Sequence, residues 1–194
     1  MKGICFIEPL FHKVVKEEKV QTRRMSRHQH FSYSELSNVN QGVYMNPAKP
    51  KYKVGETVYL KEPYAVSGKY IIYKLGSTIG QEFDKAGIKW KNKLFMPESA
   101  ARYFIEITGV RAERLQDISE EDCLKEGIEY NSNPFSECNT IGCSFGVKFP
   151  YNNGYVNYTT PRKAYASLID KINGKGTWER NPFVWVYDFK LLIK

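Results

Sequence analysis

The densest group of reactive side chains in this sequence is Lys19-Val20-Gln21-Thr22-Arg23-Arg24. A threonine hydroxyl is a weak nucleophile until a neighbouring base takes its proton, and a neutral lysine fills that role in Ser-Lys arrangements. Free lysine titrates near 10.4, so burial or a nearby cation has to lower it. Arg23 and Arg24 are the cations at hand. A carboxylate is then needed to handle water or a leaving amine. In an extended stretch Thr22 and Arg24 point one way and Arg23 the other, because side chains alternate along a strand. A competing reading stands beside this one. A helix ending near Lys19 gains from positive charge at its C-terminus through the macrodipole, with no chemistry implied.

Other positions could face a ligand. Pro63 limits strand continuation, which puts Glu62 at the rim of a sheet, and Trp90 is a further cleft candidate in a polar stretch. Arg111, Glu113, Arg114 and Asp117 read as a surface ion-pair network worth little energy, with Arg114 the member placed to meet a ligand. Trp185 lies in an apolar run and reads as packing. No metal and no cofactor is expected. Cys5, Cys123, Cys138 and Cys143 form no CxxC pair, whereas a structural zinc site needs four soft ligands at tighter spacing. They read as reduced thiols of a cytoplasmic protein. His28 and His30 have neither a third histidine nor a carboxylate nearby and read as part of a surface loop.

The elements that must position these groups follow from periodicity and punctuation. Gly3 to Ile7 reads as a buried strand, and Pro9 opens a helix whose Leu10, Val14 and Val15 recur at helical spacing up to Glu18 or Lys19. Thr57 to Leu60, Tyr70 to Tyr73, Arg102 to Val110 and Phe183 to Leu192 read as strands. Ser119 with Glu120, Glu121 and Asp122 marks a helix start, and Gly127 its stop. Pro161 opens a helix with Tyr165, Leu168, Ile169 and Ile172 on one face, ended by Asn173 and Gly174. Gly76 to Lys93 reads as polar and irregular. Two longer irregular stretches, about 26–50 and 131–159, read as insertions on a single domain spanning 1–194. Strands and helices do not alternate as βαβ units, so the expected class is α+β with a small, mainly antiparallel barrel.

Composition sets the bounds. With 42% hydrophobic and 26% charged residues, the usage is that of a folded domain rather than a disordered one. The net charge of +8 draws polyanions, though it serves solubility equally well. The 14 tyrosines suit a contact surface as much as a core. No apolar run reaches membrane-spanning length. Met1 to Ile7 is too short for the apolar segment of a secretory leader and is followed at once by Glu8 and Pro9.

A series of short motifs occurs in order: Lys19-x-x-Thr22-x-Arg24, Val54-Gly55-Glu56, Tyr59-Leu60-Lys61-Glu62-Pro63, Arg111-x-Glu113-Arg114-Leu115-Gln116-Asp117-Ile118, Glu126-Gly127-Ile128 and Asn181-Pro182-Phe183-Val184-Trp185-Val186. Together they resemble the ASCH domain family of the PUA-like superfamily, and in particular ASCH-like proteins of phages and prophages. The resemblance implies a PUA-like β-barrel with flanking helices. It also implies a basic cleft binding RNA, single-stranded nucleic acid or a modified nucleoside, with Arg23, Arg24, Glu62, Trp90 and Arg114 as ligand-facing candidates. The family usually carries Gly two residues before the Lys and Glu three after it; here these positions hold Glu17 and Thr22. The Thr is shared with a branch that resembles amidohydrolases removing the acetyl group from acetylcytidine, whose catalytic Lys, Thr and Glu match Lys19, Thr22 and Glu126. Glu126 sits near a helix end, where the dipole disfavours a carboxylate. It is therefore either plainly exposed or held by a cation such as Lys19 or Arg24. Three function classes stand open: a binding module, an amidohydrolase, and an accessory protein working through protein contacts.

Overall fold

Helix α1 (Glu8–Val15) follows strand β1 (Lys2–Cys5) and carries its proline in the first turn, where the missing N–H costs nothing. It ends earlier than its periodicity suggests. The Lys13 carbonyl accepts from the N–H groups of both Glu18 and Lys19, at 2.9 and 3.2 Å, and Glu17 takes φ +60° to make the reversal. Lys19 therefore lies outside the helix, at the entry to β2 (Gln21–Met25). The computed structural model describes residues 1–26, 49–75, 78–85, 87, 89–130, 145–146 and 158–192. His28, His30, Cys138, Cys143 and most of both expected insertions lie outside them.

The chain continues through β3 (Thr57–Lys61), β4 (Tyr64–Ser67), β5 (Tyr70–Tyr73), α2 (Thr78–Lys85), β6 (Phe104–Arg114), α3 (Glu120–Lys125), β7 (Glu129–Tyr130), β8 (Phe145–Gly146), α4 (Pro161–Asn173), α5 (Thr177–Arg180) and β9 (Phe183–Leu192). Several elements run against the sequence reading, the two-residue strands β7 and β8 among them. Helix α2 occupies part of the stretch expected to be irregular, where Gly80 and the polar composition hide its period. Strand β4 forms a hairpin with β5 and turns at Gly68, whose φ is +58°. Helix α5 is a single turn, too short to leave a period. Helices α3 and α4 start where their caps say: Ser119 Oγ accepts from the Asp122 N–H at 3.1 Å, and Thr160 Oγ1 from the Lys163 N–H at 3.2 Å.

The main sheet has the order β1-β3-β6-β9-β2. Strands β1 and β3 pair in parallel and the other three pairings are antiparallel, so the class is α+β with a strand-rich sheet. The longest ladder runs between β6 and β9, from Phe104 opposite Leu192 to Arg114 opposite Phe183, with a bulge between Ile107 and Gly109. Strands β1 and β2 end this order, and among the described residues no backbone ladder joins them. A side chain spans the gap instead: Arg24 Nη2 on β2 donates to the Cys5 carbonyl on β1 at 2.7 Å.

One main core fills the inner face of the sheet. It takes Leu10, Phe11 and Val14 from α1, Cys123 from α3, and Tyr165, Leu168 and Ile169 from α4. Tyr64, Met96 and Ala100 form a small satellite. Among the described residues no helix is long and apolar enough to cross a membrane.

Candidate functional site

Lys19 is buried where the turn after α1 meets the end of α3. Its ammonium donates to three acceptors, the number of its protons: the Gln21 carbonyl at 2.7 Å, the Glu126 carbonyl at 2.7 Å and Glu126 Oε2 at 2.5 Å. Burial pulls its pKa down to about 8, against the opposing pull of Glu126 and with help from Arg24 and Arg23. Glu126 caps the C-terminus of α3, and Gly127, at φ +95°, turns the chain away. The carboxylate is held there by cations, as its place at the negative helix end requires. The second cation is Arg23 rather than Arg24: Arg23 Nη1 lies 3.2 Å from Glu126 Oε1.

Arg23 is fully buried, and every nitrogen of its guanidinium is engaged within the protein. Nε donates to Glu113 Oε1 at 2.7 Å, Nη1 to Gln21 Oε1 at 2.5 Å and Nη2 to Asp122 Oδ2 at 2.9 Å. Burial works against its charge, but the surrounding carboxylates outweigh it and Glu126 most of all, so its pKa is raised. Arg111 extends the network to Asp122, Glu113 and Asp188. Of the network anticipated among Arg111, Glu113, Arg114 and Asp117, only Arg111 and Glu113 form ion pairs among the described residues, and the network they join is built around Arg23 and half buried. Arg23 organises Glu126 and has no donor to spare for a ligand.

Alternation along β2 turns Thr22 and Arg24 to the face opposite Arg23. Lys19, Thr22, Arg23, Arg24 and Glu126 nevertheless line one cavity of about 340 Å³, because it opens at the gap between β1 and β2. Its other wall is apolar, made by Leu10, Leu168, Ile169 and Ile172. No hydrogen bond joins Lys19 to Thr22 among the described residues. Two buried polar atoms of residues lining this cavity lack a partner among the described residues: Arg24 Nε and the Tyr165 hydroxyl. Tyr165 is only 1% exposed, and burial with the neighbouring Glu126 carboxylate holds its pKa well above the ordinary tyrosine range. The Arg24 guanidinium stacks 5.0 Å from the Phe6 ring centre.

Comparison with known proteins adds no relative: no family model, curated protein or solved structure matches the chain.

Three sequence candidates lie outside this cavity. Glu62 is 1% exposed and bound by Arg102, with Nε to Oε1 at 2.7 Å and Nη2 to Oε2 at 2.8 Å; burial raises its pKa despite that partner. Trp90 sits below the ammonium of Lys74, 6.0 Å from its ring centre. Arg114 is the clearest correction: its guanidinium lies 3.7 Å from the Phe183 ring centre and donates to the Asn181 carbonyl, packing against its own fold. Two cavity residues went unread in the sequence. Tyr165 carries the period of a core position, and the only hint was a hydroxyl on an otherwise apolar helix face. Lys93 fell in a stretch read as irregular; its ammonium donates to the Phe6 carbonyl at 2.7 Å. Among the described residues no cluster of His, Cys, Asp and Glu could hold a metal ion.

Proposed function

We propose that this chain is an ASCH-type, PUA-like binding module that takes one nucleoside unit, within RNA or another single strand or as a free modified nucleoside, in the cavity between β1 and β2. The observation that carries this reading is the buried Tyr165 hydroxyl without a partner, at a cavity with one apolar wall and one polar wall. Ligand sites are typically apolar clefts with a few placed polar groups, and a planar base with a polar edge has the matching shape. The Tyr165 and Thr22 hydroxyls can donate or accept, and Arg24 Nε donates. Lys19 and Arg23 are matched by carboxylates, but Arg24 and Lys93 line the cavity with no ion pair among the described residues, which suits a ligand of negative potential. On this reading the barrel of the family is closed by the Arg24 side chain rather than by a β1–β2 ladder.

The test is calorimetric titration of wild type and Thr22→Val with nucleosides, acetylcytidine among them, and with a short single-stranded RNA. Saturable binding weakened by Thr22→Val supports the module. Absence of binding to every probe refutes it and leaves an accessory role through protein contacts.

One observation favours a second reading. Lys19, Thr22 and Glu126 line the same cavity, and the lysine titrates near 8. In an amidohydrolase built on them, Thr22 Oγ1 attacks the acyl carbon of an amide on a modified pyrimidine such as acetylcytidine and gives its proton to Lys19. Arg24 stabilises the oxyanion, and the proton taken by Lys19 passes by way of the Glu126 carboxylate to the leaving exocyclic amine. Water then cleaves the threonyl ester, releasing acetate. Chromatography of acetylcytidine after incubation with the protein reads this directly. Cytidine release that is absent in Thr22→Ala supports it, and no release by wild type excludes it.

A further inference from the structure

Beyond Arg24 lies a second, larger cavity of about 510 Å³, lined in part by Gly3, Arg24, Lys49, Lys51 and Lys61. Arg24 belongs to the walls of both cavities. Among the described residues four cations line this second space, and no carboxylate does. None of the four forms an ion pair among the described residues. This contrasts with Arg23 and Arg102, whose charges are matched inside the protein.

The fold holds these cations in place. Lys61 on β3 reaches the cavity across β1 because residue 3 is glycine: a Cβ there would stand 2.3 Å from the Lys61 Cε. The ammonium then donates to the Leu94 carbonyl at 2.8 Å. The segment bearing Lys49 and Lys51 is clamped from both sides. The Lys51 N–H donates to the Tyr187 hydroxyl on β9 at 2.9 Å, and the Tyr52 hydroxyl donates to the Gly3 carbonyl on β1 at 3.0 Å. The Lys2 ammonium donates to the Lys51 carbonyl at 2.7 Å. Arg24 brings the unpartnered Nε. Several cations lining one cavity make its potential positive, and an anion with several acceptor oxygens forms charge-assisted hydrogen bonds there.

We propose that this second cavity is a phosphate subsite. It takes the phosphate attached to the nucleoside unit in the first cavity, with Arg24 between the two and Lys49, Lys51 and Lys61 neutralising the charge. The proposal rests on the nucleoside reading above. The phosphate has two sources, a mononucleotide or the backbone of a single strand.

The experiment is calorimetric titration of wild type and the Lys49→Ala/Lys51→Ala double variant with cytidine, its 3′- and 5′-monophosphates and a short single-stranded oligonucleotide. Both lysines are exposed, so the variant keeps the fold, and a thermal melt checks that. One monophosphate should bind about tenfold or more tightly than cytidine, the worth of one charge-assisted contact. The double variant should lose most of that advantage with cytidine affinity unchanged. A strand as the natural source gives a further gain over the monophosphate. Its plot of log K against log salt should then flatten by about 1.4 in the variant, at roughly 0.7 per lost contact. A mononucleotide source gives no further gain with the strand. Equal affinity for cytidine and both monophosphates, or a monophosphate advantage that survives in the variant, overturns the subsite and leaves the nucleoside reading intact. No binding by any probe overturns both.

Discussion

Tyr165→Phe removes one oxygen from α4 and is expected to move stability and binding in opposite directions. The hydroxyl is buried without a partner, while the ring packs among core residues and lies 6.3 Å centre to centre from Trp178. A buried polar group left unsatisfied costs about 1–3 kcal/mol. Phenylalanine keeps the ring and its burial and drops the penalty, so the free protein should gain about 1 kcal/mol. At this chain length that is a rise of about 2–4 °C in Tm. The ligand complex should lose the hydrogen bond that the hydroxyl makes to the base, about 0.5–1.5 kcal/mol or roughly two- to tenfold in Kd. Urea denaturation of the free protein measures the first effect and calorimetric titration with the tightest-binding probe the second. A variant destabilised by more than about 1 kcal/mol, with unchanged ligand affinity, would refute the reasoning. It would mean that the hydroxyl already has a partner in the free protein and plays a purely structural part.

Glu17→Gly should stabilise by up to about 1 kcal/mol, because φ +60° costs an L-residue roughly 1–2 kcal/mol and glycine returns part of that as chain entropy; Glu17→Ala, the control for lost charge, should show no gain in urea denaturation. Lys19→Met and Glu126→Gln should each cost about 3–5 kcal/mol, since each strands a buried partner, and the double variant should cost clearly less than their sum in a double-mutant cycle. The Lys19 pKa of about 8 lies below its unfolded value of 10.5, so between those pH values the unfolded chain binds more protons and stability rises with pH. Taken as the difference between wild type and Lys19→Met, which cancels the tyrosine and cysteine titrations, that rise should be at most roughly 3 kcal/mol; a difference that falls over this window contradicts the assignment.

What the sequence makes legible here is local. The cap at Ser119, the proline at 161 and the stops at Gly127 and Gly174 fix α3 and α4, because each signal acts within one turn of the residue that carries it. Strands β6 and β9 are long and apolar enough to stand out. Helix electrostatics gave Glu126 the choice of exposure or a cation such as Lys19 or Arg24, and the structure pairs it with Lys19 and Arg23. The long-range part was not legible. Arg23 looks like a free cation until Glu113 on β6 and Asp122 on α3 are brought beside it, and nothing local encodes that meeting. Arg114 looks ligand-facing until Phe183 arrives from the neighbouring strand. Tyr165 has the spacing of a core residue, and spacing says nothing about whether a hydroxyl finds a partner. The cleft depends on which two strands are left at the ends of the sheet order, a property of topology alone.

The protonation state of Lys19 separates binding from catalysis. To take a proton from Thr22, the lysine must be neutral and turn its lone pair towards the hydroxyl. With a pKa of about 8 only roughly a tenth of the molecules meet the first condition at pH 7. The second is not met in the free protein, where all three protons point to Gln21 and Glu126. As found, Lys19 is a pin joining the start of β2 to the end of α3. Nucleoside binding needs no change in that pin, whereas amide cleavage requires the ligand to free it first. The two roles have different signatures in the Lys19→Ala and Thr22→Ala variants. A pin lost in Lys19→Ala lowers stability and binding together, while Thr22→Ala, at a buried strand position, costs only about 1 kcal/mol. A catalytic lysine adds a turnover rate that rises with pH through about 8 in wild type and vanishes in both variants, with Thr22→Ala still binding substrate. Turnover that is flat across that pH range, or that survives Thr22→Ala, leaves Lys19 as the pin alone.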